Sequence, residues 1–327
     1  MFVASTIAPA LATWTWPHGP PREVIHYGRH ELGLSEALLH SLLANSTMID
    51  APIAAGARDN SFRFHISALD SPQKYRSDLA FVQTMSPAWF HQYRLHTLRP
   101  GSTVVDIGAN VGMVTMALTR LAQRQARCST AAHPAYRVLS VEPVPENVLF
   151  LKYNLVEAKG KHHEGTACEP RVQTVVLNQA MTGDGRNVTV AIGSASMSAH
   201  VVGLSTAPHS PRARRTATSN GAFKQDGART YLVRSTSLER LLDEQGIGDV
   251  DLLKLDCEGC EYEVFDELRA KPSLMRRIKS MAGELHSCHP KLPTRQRCVE
   301  AIKFVQQHWP APPTDASLMK PHGFAIV

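Results

Sequence analysis

Between residues 103 and 286, short apolar runs repeatedly end at or beside a carboxylate. The runs are Thr103 to Ile107 with Asp106, Val138 to Val141 with Glu142, Val250 to Leu255 with Asp256, and Ile278 to Leu285 with Glu284. Helix-period segments alternate with them: Val114 to Leu121, about Glu146 to Val156, and Glu261 to Leu268. Strand, helix and strand at this spacing predict parallel βαβ units, hence a doubly wound α/β sheet. Clustered acids at strand ends are costly unless they meet a ligand or a counter-charge. Open α/β sheets bind ligands at those carboxyl ends. One pattern therefore predicts both the fold class and the location of a site.

The rest of the chain fits around that core. A third strand is predicted at Val172 to Leu177, and Asn187 to Ile192 alternates like an antiparallel strand. Residues 194 to 230 are rich in Ser, Ala, Thr and Arg and read as an insertion, with 205 to 229 expected to be mobile and dispensable for folding. Order resumes at Tyr231 to Ser235, then a helix from Leu238 to Gln245 closed by Gly246. A helix from Thr294 to His308 follows, and Ser317 to Val327 offers a last edge strand. Upstream, residues 1 to about 30 read as an irregular arm. Helical patterning starts near Leu32, with Leu34, Leu38, Leu39 and Leu42 on one face, and a second helix is expected over Ala88 to Leu98. The expected division is an N-terminal extension of arm and helices over 1–85 and the α/β domain over 86–327.

Composition excludes several classes. The chain has 327 residues, 43% of them apolar and 20% charged, with a net charge of +6. That is ordinary for a globular protein and only mildly basic. No basic stripe interleaved with aromatics occurs, so a nucleic-acid partner is not expected. Arg212, Arg214 and Arg215 read as part of a solvated loop. Six cysteines do not make a disulfide scaffold in a chain this long, and reduced thiols are expected. No run is long and apolar enough to span a membrane. The compartment stays open. Cytoplasm is favoured because Met1 to Pro21 carries no positive n-region, against a signal or anchor remnant over 1–21.

The segment Asp106-Ile107-Gly108-Ala109-Asn110-Val111-Gly112 runs from a strand through a glycine loop into a helix. Gly108 permits a sharp turn, and Gly112 permits close packing of the helix on the sheet. A dinucleotide fingerprint needs G-x-G-x-x-G, and its middle glycine is absent here. Asp106 at the strand end suits a cationic ligand. S-adenosyl-L-methionine carries a sulfonium and an amino group and no phosphate. Glu142, at the end of the second strand, is expected to accept both ribose hydroxyls. Asn178, just past the third strand, joins Asp106, Gly108, Asn110, Gly112, Glu142 and Asp256 in the expected cofactor site.

Taken together these pieces resemble the FkbM-type methyltransferase family. The resemblance is carried by residues 106 to 112, by Glu142-Pro143 with Glu146, Asn147, Leu151 and Asn154, and by Ser237-Leu238. It continues through Leu253-Lys254-Leu255-Asp256, Glu258-Gly259 and Glu261, to Gly283-Glu284-Leu285-His286. It runs from about Trp89 to at least His286. It implies a Rossmann-like class I methyltransferase sheet of seven strands, one antiparallel near the edge, and methylation of hydroxyl oxygens on sugars or other small molecules. Cys257 and Cys260 depart from the family pattern, as do the insertion and the first 85 residues.

Methyl transfer needs positioning, and a base when the acceptor is a hydroxyl. His286 is the first candidate base, with Asp256 and Glu284 as alternatives or as groups that orient the acceptor. Cys257, Cys260, His286 and Cys288 form only a partial zinc signature, so no metal is expected, and a disulfide there is the competing option if the chain is secreted. The partner expected is a small-molecule or carbohydrate acceptor; its identity and the oligomeric state are left open. Two rival readings remain: a nicotinamide-dependent oxidoreductase on a similar sheet, and a catalytically silent cofactor-binding module. A panel of cofactors in a thermal-shift assay separates the first; retention of Asp106, Gly108, Glu142 and Asp256 argues against the second.

Overall fold

The computed structural model describes residues 21–52, 61–67, 90, 92–125, 136–160, 172–192, 199–204, 229–286, 295–309 and 324–326. The chain enters through α1 (Arg22–His30) and α2 (Glu36–Ala44), followed by the antiparallel hairpin of β1 (Ser46–Pro52) and β2 (Ser61–Ser67). Ser35 caps α2 by accepting a hydrogen bond from the Leu38 N–H at 3.3 Å.

The central sheet then builds up. It contains β3 (Ser102–Ile107), β4 (Tyr136–Val141) and β5 (Val172–Leu177), with α3 (Met113–Gln125) and α4 (Pro145–Gly160) as crossovers. The short strand β6 (Ala180–Met181) leads to a separate three-stranded antiparallel sheet of β7 (Val188–Ile192), β8 (Ala199–Leu204) and β9 (Arg229–Val233). The chain returns through β10 (Ser235–Thr236), which pairs with β6, and α5 (Leu238–Glu244). It then adds β11 (Leu252–Leu255), α6 (Glu261–Ala270), α7 (Pro272–Arg276), β12 (Met281–Leu285), α8 (Arg295–His308) and β13 (Phe324–Ile326).

The sheet order is β13-β12-β11-β3-β4-β5. Every neighbouring pair is parallel except β12 with β13. This is the doubly wound α/β sheet with an antiparallel strand near the edge that the sequence predicts. Six strands occur among the described residues, against the seven implied by the resemblance. The order reverses at β3, so the crevice at the carboxyl ends of β3 and its neighbours is the expected ligand position. Two apolar clusters flank the sheet. One packs α1, α2, α3 and α4 on the side of Val104 and Val138; the other packs α5, α6, α7 and α8 on the side of Val105 and Leu253.

Several expectations are corrected. The arm expected over residues 1 to 30 contains the helix Arg22–His30, whose Val24 and Gly28 are buried. Leu32 and Leu34 lie in the turn before α2 rather than on one continuous helix. After α2, Ser46–Pro52 and Ser61–Ser67 pair antiparallel, strands the sequence reading did not expect. The docking of this hairpin is not visible as a pattern: the Asn154 side chain on α4 accepts from the His65 N–H and donates to the His65 carbonyl and, at 2.8 Å, to the Val111 carbonyl. Of the helix expected over Ala88 to Leu98, Phe90 and Gln92 are helical. Arg94 then takes a left-handed backbone (φ 56°) and a 3-10 turn spans Leu95–Thr97. The insertion read over 194 to 230 contains strand Ala199–Leu204, paired with β7. Its centre, 205 to 228, lies outside the described residues, as do residues 1 to 20. Among the described residues no helix is long and apolar enough to cross a membrane.

Candidate functional site

The strand register explains the site's foundation. Lys254 on β11 lies directly opposite Asp106 on β3. Asp106 is fully buried and Lys254 is 3% exposed. The ammonium lies 3.0 Å from Asp106 Oδ1, donates to the Gly108 carbonyl at 2.7 Å, and sits 3.9 Å from Asp256 Oδ2. Burial pushes the Asp106 carboxyl up and Lys254 pulls it back; burial pushes the Lys254 ammonium down, and the charges of Asp106 and Asp256 more than restore it. Asp106, expected to meet a cationic ligand, has its cation inside the protein.

Gly108 follows with φ +79°. A Cβ there would collide with the Asp256 backbone carbonyl and approach Cys257 Cα. Only glycine supplies both the left-handed turn and the close approach of the β3 and β11 loops. Gly108→Ala is expected to destabilise the protein by at least about 1–3 kcal/mol, the usual range for overpacking a close contact. A urea unfolding midpoint equal to the parent's would show that the loops part without cost.

Glu142 organises the neighbouring loop. It is 4% exposed and accepts hydrogen bonds from the Asn110 N–H (2.8 Å), the Val144 N–H (3.0 Å) and the Asn147 amide (3.2 Å). Burial raises its pKa, and the three donors hold it down. A carboxylate has about four lone-pair sites. Three are in use here, from Asn110, Val144 and Asn147. Asn110 makes the turn with φ +50°, a conformation asparagine tolerates better than most residues. Asn178, expected among the cofactor groups, donates to the carbonyls of Glu142 and Pro143 at 3.0 and 2.9 Å, fixing the second strand end from behind. The close approach at Gly112 is to the Leu151 side chain on helix α4, where the sequence reading expected the sheet.

The third and fourth strand ends meet across β11 and β12. His286 Nδ1 lies 2.8 Å from Glu261 Oε1, and Glu261 is fully buried. Glu261 also accepts the N–H groups of Cys257 and Gly259, so one carboxylate holds both the 257–259 turn and the imidazole. His286 Nε2 faces Asp256 Oδ1 at 3.6 Å, Glu258 Oε1 at 3.6 Å and Glu284 Oε2 at 4.0 Å. Burial of the ring pushes its pKa down, but the hydrogen bond and charge of Glu261, with Asp256 and Glu258, raise it to about 9. The imidazole is therefore protonated at neutral pH in the ligand-free protein, which alters its expected part as the base. Burial and the Asp256 charge raise the Glu284 carboxyl, against the Gln92 hydrogen bond and His286, which lower it. Glu258 is held with φ +56°, an uncommon conformation for a residue with a long side chain.

The structure thus brings Asp256, Glu284 and His286 together, as the sequence predicts, and places Glu142, Asn110 and Asn178 over the adjacent β3 and β4. Sequence reasoning missed Lys254, Glu261, Gln92 and Tyr93. The signal for Lys254 was present: a lysine inside an apolar strand needs a buried partner. For Gln92 and Tyr93 there was none. The cysteines depart from expectation. Cys257 and Cys260 form a disulfide, and Cys298 on α8 is disulfide-bonded too. A disulfide leaves no thiolates at 257 and 260, which removes the partial zinc signature.

The pattern described as the methyltransferase FkbM domain matches residues 106–311. No curated protein matches the chain. Among solved structures, precorrin-6y C5,15-methyltransferase from Geobacter metallireducens GS-15 is 14% identical, with 79% of this chain and 82% of that one covered and a TM-score of 0.35.

Proposed function

The chain belongs to the FkbM methyltransferase family, and on that premise we propose that it moves the methyl group of S-adenosyl-L-methionine to a hydroxyl oxygen of a small molecule or sugar. The observation that carries the oxygen-directed part is the cluster of Asp256, Glu258 and Glu284 within 4.0 Å of His286 Nε2. Oxygen acceptors lose a proton on methylation, and this cluster sets carboxylates where one can be taken. When bound, S-adenosyl-L-methionine would supply a methyl carbon open to an acceptor lone pair and a sulfur able to leave as a neutral thioether with the electrons of the carbon–sulfur bond. The hydroxyl proton passes to a carboxylate of the cluster. His286, already protonated, contributes charge and orientation rather than the base.

The cofactor would lie across the turn of β3 and β4. The start of α3 at Met113, directly after the β3 turn, would face that ligand, and a remaining Glu142 lone pair would accept a ribose hydroxyl. The donor group S-adenosyl-L-methionine supplies is an activated methyl; the protein supplies placement.

At a hundred times its dissociation constant, S-adenosylhomocysteine is expected to stabilise the fold by about 2.7 kcal/mol, while NAD shifts nothing. Glu142→Gln should weaken that binding about 10-fold, the loss of one charged hydrogen bond worth about 1.5–3 kcal/mol at its lower end. Thermal unfolding with each ligand reads both. Flat curves with the adenosyl ligands and a shift with NAD would move the chain to the oxidoreductase reading.

A further inference from the structure

We propose that Cys257 and Cys260 form a thiol–disulfide exchange site, and that a thiol reductant opening it releases the turn that carries Glu258 beside His286. The two Cα atoms lie 5.5 Å apart, and the bridge closes the short turn between β11 and α6. A bridge across so short a span removes little freedom from the unfolded chain, because that effect grows with the length of chain enclosed. It is poorly suited to stapling a fold whose two apolar clusters already close on the sheet. A C-x-x-C pair at the entry of a helix is instead a setting that favours reactive thiols, and Cys260 is the residue that precedes α6.

The closed turn is held against a backbone preference. Glu258, between the two cysteines, sits at φ +56°, a conformation that persists in a long side chain only where its surroundings impose it. The bridge imposes it from both flanks. Glu261 does so from below, accepting the Cys257 N–H at 2.9 Å and the Gly259 N–H at 2.8 Å. Neither cysteine is fully buried and Gly259 is exposed, so a small thiol can approach from solvent.

Four carboxylates face the His286 ring: Glu261 from α6, Glu258 from the turn, Asp256 from the end of β11 and Glu284 from β12. Only Glu258 lies inside the bridged turn, and Glu261 is the group the turn leans on. The His286 carbonyl accepts from the Tyr262 hydroxyl at 2.6 Å, so the end of β12 keeps its place when the turn relaxes. In the exchange a reductant thiolate attacks one sulfur, and the other cysteine leaves as a thiolate. A second thiol then resolves the mixed disulfide. The two cysteines gain two electrons and two protons, and two molecules of reductant leave joined as their own disulfide. The carboxylate cluster is complete in the bridged form, so methyl transfer falls on reduction. That last consequence rests on the methyl-transfer reading; the exchange and its effect on His286 do not.

The test uses the full chain without cofactor or acceptor, first oxidised and then equilibrated with reduced glutathione. Alkylation followed by peptide mass mapping should find Cys257 and Cys260 open, whereas structural disulfides resist glutathione. The titration midpoint of the His286 ring protons should lie at about 9 in the oxidised protein. In the reduced protein it should move down toward the ordinary histidine value of about 6.5. The double variant Cys257→Ser, Cys260→Ser should start at the lower midpoint and ignore glutathione. A bridge that stays closed in glutathione is structural, and the exchange site is then wrong. A midpoint that stays put after opening would break the link to His286. A response that survives in the double variant would belong to another disulfide, such as that of Cys298. The comparison of the parent's two redox states needs no variant to fold. With no adenosyl ligand present, each of these failures is separate from a failure to bind S-adenosylhomocysteine.

Discussion

Lys254→Met is expected to destabilise the protein by about 3–5 kcal/mol, the cost of stripping a buried ion pair of one partner. The lysine is 3% exposed and Asp106 is fully buried, directly across from it in the sheet. Without the ammonium, Asp106 must stay charged in an apolar sheet or take up a proton, and the Gly108 carbonyl loses its donor. The loss should show in urea as a lower midpoint at unchanged slope. The double variant Asp106→Leu, Lys254→Met gives the sharper reading. Replacing both charges by apolar groups of similar volume is often neutral, so the double variant should recover much of the loss at the single site. A Lys254→Met protein within about 1 kcal/mol of the parent would mean that water reaches Asp106 and that the pair is not part of the foundation.

That pair also marks where sequence reading stops. The strand Val172–Leu177 is identical in sequence expectation and structure, because its β-branched run is bounded on both sides by polar residues. Strand ends carrying Asp106, Glu142, Asp256 and Glu284 were legible for the same reason: a charge closing an apolar run is a local signal. The partnership of Lys254 with Asp106 is not local. It joins residues 148 positions apart through a register that no single strand encodes. Glu261 was legible only as one more acid at a helix start. Its task, holding the 257–259 turn and the His286 ring together, needs β11 and β12 to be neighbours first. The hairpin of β1 and β2 was legible in part: Phe62, Phe64 and Ile66 alternate with Ser61, Arg63, His65 and Ser67, a strand signal the sequence reading passed over, whereas its docking through His65 backbone groups to Asn154 is not local. Helix α1 escaped because few of its residues are apolar, although those few share one face: Val24 and Gly28, one turn apart, are both buried.

The largest functional effect is expected at the end of β12. His286→Ala should lower turnover by about 10²–10³-fold, the range for removing a preorganised electrostatic group, while affinity for S-adenosylhomocysteine stays near the parent value. The separation follows from placement. Glu142 and Asn110 lie over β3 and β4, whereas Asp256, Glu284 and His286 lie over β11 and β12. Groups that act mainly in the transition state change the rate and leave ground-state binding alone. Asp256 is better probed as Asp256→Asn than as alanine. Its backbone carbonyl packs on Gly108 and its carboxylate faces Lys254, so truncation would disturb the loop that shapes the cofactor side. Asparagine keeps the volume and removes the charge, and should also cost turnover with cofactor affinity intact. Glu261→Gln should act through His286: it keeps the acceptor oxygen but removes the charge that raises the imidazole pKa to about 9, so the pH dependence of turnover should move toward neutrality even if the maximal rate falls little. Calorimetric affinity for S-adenosylhomocysteine, measured beside the methylation rate across pH for each variant, reads all three. Should Asp256→Asn abolish cofactor binding while Glu142→Gln leaves it intact, the two halves of the crevice have been assigned the wrong way round. Parental turnover in His286→Ala would leave the imidazole as a prop for the Glu261 turn and return the chemistry to the carboxylates alone.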